Sequence, residues 1–266
     1  MSKILVVILT TLFILISCAT SPLGRSQFKL MSDDELNGMG SEAFSQIKQK
    51  TRVEKSKRIN RYVNCVADAV LLVSNSPIKN WEVVVFRDKS VNAFAVPGGK
   101  IGVHTGLLKI TKKQDQLAAV LGHEVAHVLA DHSNERVSQE LALQQSMNVV
   151  QVLGNVQSPE GKQLMRLLGL GAEVGLILPY NRFHENEADE MGLYLMAKAG
   201  FDPRESIRLW ENMGQGSGKQ PSEFFSTHPA HETRIKRLNQ NMNRAMQFYQ
   251  KAKASGKNPL CRWGVH

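Results

Sequence analysis

The chain reads as a mostly helical α+β domain with a small sheet, built around one buried helix. Three observations lead there. Apolar residues recur at helical spacing through most of the chain, the mark of amphipathic helices. Only the stretch from Trp81 to His104 is β-branched and aromatic, with a Pro97-Gly98-Gly99 break, as hairpin strands are. In Gln116–Asp131, residues Leu117, Val120, Leu121, Val125, Val128 and Leu129 form an apolar stripe that also carries His123, Glu124 and His127. A helix this apolar is buried, and buried polar side chains need partners.

The length of 266 residues, with 42% hydrophobic and 21% charged residues, suits one globular domain with a sizeable core. Residues 1–17 read as a signal peptide. Lys3 gives the positive start, and Ile4–Ile16 is almost wholly apolar yet short for a membrane span. The run Leu15-Ile16-Ser17-Cys18 looks like a bacterial lipobox, which would make Cys18 the lipidated first residue of the mature chain. An uncleaved N-terminal anchor is the rival reading. Ala19 stands where an Asp would signal inner-membrane retention, so the outer membrane is the expected destination. Residues 18–30, with Ser, Pro and Gly, read as a tether, 31–252 as the folded domain and 253–266 as a tail. No other stretch reaches eighteen apolar residues, and Leu167–Leu178 is interrupted by Glu173 and glycines.

Ser32-Asp-Asp-Glu35 predicts a capping box opening a helix to Lys50. A second helix is expected over Glu54–Val73, buried through Ile59, Tyr62, Val63, Val66, Val70 and Val73 and ended by Asn75–Pro77. Trp81–Phe86 reads as a strand, and Val91–Val96 with Lys100–His104 as a hairpin. Thr111-Lys-Lys-Gln114 predicts a capping box for the central helix, and Gly122 a close approach of another segment. Helical character continues over Leu141–Val152, then over Glu185–Ala199 up to Gly200. Asp202-Pro203 opens a further helix, Gly214–Pro221 reads as a loop, and Ala230–Ala252 as the last long helix.

His123 and His127 are four apart and share a helical face, so both can hold one metal with Glu124 beside it. This is the H-E-x-x-H pattern in which two His bind zinc and the Glu is general base. Zinc with an open fourth position acidifies a water, and Glu124 would take its proton. A third ligand six residues after the second His is excluded, because Ser133 stands there and Ala130 replaces the required Gly. The best alternative is Glu185, four residues before Asp189 on the same face; Glu187 lies about 200° round the helix from Glu185, so the two cannot both point at one metal. Asp189 then supports the site from behind, with Arg182 as a further orienting residue. His104, His132, His184 and His231 have no ligand spacing and read as surface or core residues; C-terminal His266 reads as disordered.

The run Leu121-Gly-His-Glu-Val-Ala-His127 with Glu185-Asn-Glu-Ala-Asp189 resembles the metallopeptidase family of HtpX and the CAAX prenyl endopeptidase, in particular its exported members BepA and LoiP. Asn92-Ala-Phe-Ala-Val-Pro-Gly-Gly99, Thr105-Gly-Leu-Leu108, Thr227-His228-Pro229 and Arg234-Ile-Lys-Arg-Leu238 match in the same order, covering roughly residues 30 to 245. The resemblance implies a zincin-like peptidase domain with one Zn2+ per chain on His123, His127 and Glu185. It implies Asp189 as proton donor and Asn92, Ala93, Phe94 and Ala95 as a strand that pairs with an extended substrate. It also implies that His228 lies near the metal, where it can fill the open position. Clients would be misfolded or stalled outer-membrane proteins, with the outer-membrane assembly machinery as a partner.

A chaperone with little proteolysis is the alternative, and a purely structural zinc site is disfavoured because such sites are Cys-rich and closed. Lys and Arg exceed Asp and Glu by nine, or by eight once Lys3 leaves with the signal peptide. The basic runs Lys48–Lys57 and Arg234–Arg237 read as solvated helical faces, with attraction to anionic lipid or acidic clients as the sharper reading. No nucleic-acid motif is present. With Cys18 lipidated, Cys65 and Cys261 remain, and an even pair in an oxidising compartment favours a disulfide over two free thiols.

Overall fold

The computed structural model describes residues 18–143, 182–216, 228 and 233–262. The signal-peptide segment, Leu167–Leu178, His231, His266 and most of the expected helix Leu141–Val152 lie outside the described residues. The described chain is mostly helical with two small sheets.

Strands β1 (Cys18–Thr20) and β2 (Ser26–Phe28) pair antiparallel around a turn at Ser21–Arg25. This departs from the tether expected over 18–30. Gln27 and Ser21 are buried, and Leu30 N donates to Ser138 Oγ at 2.8 Å. The segment is polar because its polar atoms have partners in the domain, which composition alone does not reveal.

Helix α1 (Asp33–Lys50) opens with the capping box expected at Ser32 and Glu35. Helix α2 (Lys57–Leu72) is capped by Ser56 and buries Tyr62, Val63, Val66, Ala67 and Val70. Strands β3 (Glu82–Phe86), β4 (Ala93–Val96) and β5 (Lys100–His104) form a sheet ordered β3-β5-β4. β5 runs parallel to β3 and antiparallel to β4, so the hairpin is present and β4 is an edge. Its turn uses Gly98 and Gly99 at φ 83 and 71, a region that suits glycine. Successive side chains point to opposite faces. Val85, Ala93, Ala95, Ile101 and Val103 face the main core, while Phe86, Phe94 and Val96 face α1 and meet Phe44. Both sheet faces are therefore covered.

Helix α3 (Gln114–Leu129) is the centre of the domain and packs against α2, β4 and the helices over Arg182–Lys198 and Arg204–Gly216. Its expected capping box is absent. Lys113 is the N-cap without a side-chain bond, and Thr111 Oγ1 instead donates to Leu107 O, closing a 3-10 turn at Leu107–Lys109. Gln116 Oε1 takes the Lys112 amide at 2.9 Å. Helix α3 ends at Leu129, Asp131 turns with φ 49, and α4 (His132–Leu143) begins. Helix α5 (Arg182–Lys198) stops at Gly200, where φ is 92. Helix α6 (Arg204–Gly216) runs further than expected, three residues into the Gly-rich loop; the loop's remainder lies outside the described residues. Helix α7 (Thr233–Ala254) completes the order.

Helices α3 and α5 touch through backbone. A Cβ on Gly122 would stand 2.8 Å from Gly192 O, and one on Gly192 would stand 2.7 Å from His123 N. Gly192→Ala should therefore part the helices and destabilise the fold by about 1–3 kcal/mol, the usual cost of overpacking. Gly38→Ala, in α1 with open space around it, should instead stabilise by roughly 0.5–1 kcal/mol. Denaturant midpoints of the two variants measure this contrast, and equal shifts would refute it.

A Cys65–Cys261 disulfide ties α2 to the C-terminal segment across 196 residues of sequence. Chain-entropy arguments put an upper figure of about 5 kcal/mol on a loop of this size. Thiol titration of the denatured, unreduced protein should find no free thiol at Cys65 or Cys261. Reduction should lower the unfolding midpoint.

Candidate metal centre

Helix α3 places His123 and His127 one turn apart, and α5 brings Glu185 against them across the Gly122–Gly192 contact. His123, His127, Glu185 and His228 are all buried, and one donor atom of each lies within 4.8 Å of the others. Glu185 Oε1 stands 3.3 Å from His127 Nε2, and Glu185 Oε2 3.4 Å from His123 Nε2. His228 Nδ1 is 2.9 Å from Glu185 Oε1 and 3.2 Å from His123 Nε2. Its Nε2 is 3.3 Å from Glu124 Oε1.

This set fits a divalent metal. Glu185 Oε2 and Glu124 Oε1 are buried and accept no hydrogen bond among the described residues, so beyond their ion-pair neighbours a cation at this point would offset the cost of burying them. Burial holds the His127 ring well below its usual pKa, and the neutral ring is the form that binds metal. Burial pushes the Glu185 carboxyl up, but His228 and His123 outweigh this and hold it well below the usual carboxylate range. Burial raises Glu124 to about 7, with His228 opposing and Glu185 adding to the rise. Glu124 Oε2 accepts the Ala95 amide at 3.0 Å. The unpaired side of β4 therefore faces the site at this point, and a cleft of about 120 Å3 lies between His127 and Pro97 at the strand's end. Of the expected substrate strand, Asn92 and Phe94 have buried side chains, which leaves backbone for recognition.

Asp189 sits behind His123, with Oδ1 3.0 Å from His123 Nδ1. Arg234 donates to the same oxygen at 2.5 Å, stands 3.2 Å from Glu185 Oε2, and stacks on Trp210 with its guanidinium carbon 3.7 Å from the ring centre. Glu187 points the other way, to His132 Nε2 at 3.1 Å and Arg25 Nε at 3.0 Å.

Two expectations are corrected here. Arg182 is exposed, and Arg234 takes the orienting position instead. The basic run Arg234–Arg237 is not a uniformly solvated face, because Arg234 is 3% exposed. Its signal was the aromatic and acidic surroundings contributed by α5 and α6, which only the tertiary structure brings together. His132 was read as a surface or core residue and is fully buried, but its ring also contacts His127, Nδ1 to Nδ1, at 2.9 Å. Helical phase could not show this, since the helix breaks between the two. His104 and His184 are buried core residues with polar partners.

The sequence profile of peptidase family M48 matches residues 56–242. The mitochondrial metalloendopeptidase OMA1 of Schizosaccharomyces pombe is 38% identical over 179 residues, covering 66% of this chain and 51% of the relative. OMA1 of Arabidopsis thaliana is 32% identical, covering 86% and 44%. The beta-barrel assembly-enhancing protease of Yersinia pestis is 26% identical, covering 90% and 49%. The chain thus spans about half the length of the curated relatives it matches. With the profile spanning well over half of the sequence, the chain belongs to peptidase family M48, a family of metal-dependent peptidases.

Proposed function

We propose that the chain is a zinc-dependent metalloendopeptidase of the bacterial cell envelope that hydrolyses peptide bonds in misfolded or stalled outer-membrane proteins. The observation that carries the peptidase reading is the buried convergence of His123, His127 and Glu185 with the Glu124 carboxylate beside them. Two imidazoles and a carboxylate are the donor set of hydrolytic zinc sites that keep one position open. Zinc bound there lowers the pKa of a water and polarises a carbonyl. Glu124 takes the proton of the attacking water and delivers it to the leaving amine. The Ala95 amide holds Glu124 in position for both steps. Asp189, gripped by Arg234, holds the His123 ring through Nδ1 and so acts in orientation.

The open side of β4 supports substrate pairing through backbone, which tolerates varied sequences and suits unfolded clients. The lipobox-like start at Cys18 and the likeness to a protease named for beta-barrel assembly support attachment to the outer membrane and contact with its assembly machinery. Among the described residues no helix is long and apolar enough to cross a membrane. A chaperone that holds clients without cutting them has no use for Glu124.

His228 acts as a latch. Its ring stands among the other three donors, and a neutral imidazole competes well with water for zinc. Release of His228 opens the position for catalysis.

Cleavage of casein by the purified chain should stop with chelator. Glu124→Gln should keep zinc and lose activity by on the order of 100-fold or more. Glu185→Ala should lose both zinc and activity, while Glu187→Ala keeps about one zinc per chain by mass spectrometry. Zinc uptake by wild type with no cleavage of any unfolded client would favour the chaperone, and zinc loss confined to Glu187→Ala would overturn the ligand set.

His228→Ala should raise basal proteolysis, including self-cleavage, with zinc content unchanged. Loss of cleavage with zinc retained would make His228 a transition-state contact and end the latch.

A further inference from the structure

The two histidines on α3 are supported from behind in different ways. His123 Nδ1 meets a carboxylate directly, Asp189. His127 Nδ1 meets another imidazole, His132 Nδ1, at 2.9 Å. Two facing ring nitrogens need one proton between them. If His127 binds metal through Nε2, the atom facing Glu185 and His123, its proton is on Nδ1. His127 Nδ1–H then donates, and His132 Nδ1 accepts. The His132 proton is therefore on Nε2, which faces Glu187 Oε2 at 3.1 Å. The direction of every bond is set, and the chain ends on a carboxylate.

That carboxylate is held by the N-terminal hairpin. Ser21 Oγ donates to Glu187 Oε1, and Arg25 Nε donates to Oε2 at 3.0 Å. The other end of Arg25 grips Glu135 with two bonds of 2.7 and 2.6 Å. Glu135 also takes His184 Nε2 at 3.1 Å, and the His184 ring stacks on His132 with centroids 4.5 Å apart. His132, His184, Glu135, Glu187 and Ser21 are all buried. Arg25 already bridges both carboxylates, so the cluster is not a second cation site.

We propose that the hairpin Cys18–Phe28 is part of the metal centre. Ser21 and Arg25 hold Glu187, Glu187 sets the tautomer of His132, and His132 orients the ring of His127. This rests on the reading of His127 as a metal ligand. A ligand His normally donates its other N–H to a carboxylate, and losing such support costs about 10–100-fold in metal affinity. Here the support is relayed through a second imidazole, and its far end comes from the extreme N-terminal part of the described chain. His132, Glu187 and Arg25 are positioning residues. A loss of this size does not empty a tight site at micromolar protein, so metal content stays near one per chain while affinity falls.

The test is the zinc dissociation constant of the full chain, measured by competition with a chromogenic chelator, together with the visible spectrum of the cobalt-substituted protein. His132→Ala and Arg25→Met should weaken zinc by about 10-fold or more and shift the cobalt bands. His132→Asn, whose side chain keeps an acceptor near the Nδ1 position, should recover part of the loss. Ser21→Ala, a milder change for the case where Arg25→Met fails to fold, should weaken zinc severalfold. Lys29→Met removes another ion pair of the N-terminal segment, Lys29 Nζ to Asp131 at 2.6 Å, and should leave affinity and spectrum unchanged. Wild type that takes up no zinc sinks the metal assignment and this inference with it. Wild type that binds zinc, with His132→Ala, Arg25→Met and Ser21→Ala giving its constant and its spectrum, sinks this inference alone. An equal loss in Lys29→Met would show general loosening of the hairpin and sink it too.

Discussion

Everything at the site depends on the seam between α3 and α5. At Gly122 and Gly192 the two helices meet through backbone, with no side chain between them. That approach lets a carboxylate from α5 reach two imidazoles on α3 within ion-pair distance. A methyl group at either glycine would widen the seam, and every donor distance would grow with it. The surrounding core, from Leu117 and Leu121 to Met196 and Leu209, fixes the helices at that spacing. Close packing of this kind transmits small displacements rather than absorbing them.

The seam also concentrates charge. Glu124, Glu185 and Asp189 are buried together, and Arg234 is the buried guanidinium set against Asp189 and Glu185. Burying a carboxylate is costly unless charge and hydrogen bonds compensate. Trp210 receives the guanidinium face of Arg234, so the arginine is desolvated without losing all its favourable contacts. A divalent ion among His123, His127 and Glu185 would remove the remaining imbalance. Fold and metal would be coupled in this way, because the charges suited to bind an ion weigh against the seam without one.

Much of this was legible in the sequence, because helical phase is a short-range property. The pairing of His123 with His127 follows from angle per residue, as does the rule that Glu185 and Glu187 cannot both face them; the Glu-x-x-x-Asp spacing and the family resemblance pointed to Glu185. The Ser32 capping box and the hairpin at Pro97-Gly98-Gly99 are equally local. The misses share the opposite property. Thr111 looked like a cap, but a 3-10 turn before the helix claimed its hydroxyl. Arg234 looked like one charge in a solvated run until α5 and α6 closed over it. His132 faces His127 because Asp131 takes a left-handed conformation between two helices, which resets the phase that a periodic reading would carry forward. The hairpin at Cys18–Phe28 looked like a tether because Ser, Arg and Gln have no visible partners until Glu135 and Glu187 are in place.

The four donors around the centre also differ in what it costs to move them. His123 and His127 sit mid-helix on α3, and Glu185 sits on α5, so displacing any of them means shifting a packed helix. His228 lies in a bend and belongs to no described helix or strand. It is the one of the four donors that no described helix or strand holds in place. His228 Nε2 is also the ring atom that faces Glu124, so under the proposed latch its departure would uncover the Glu124 carboxylate as well. A latch made from any other ligand would have to break the structure that makes the site.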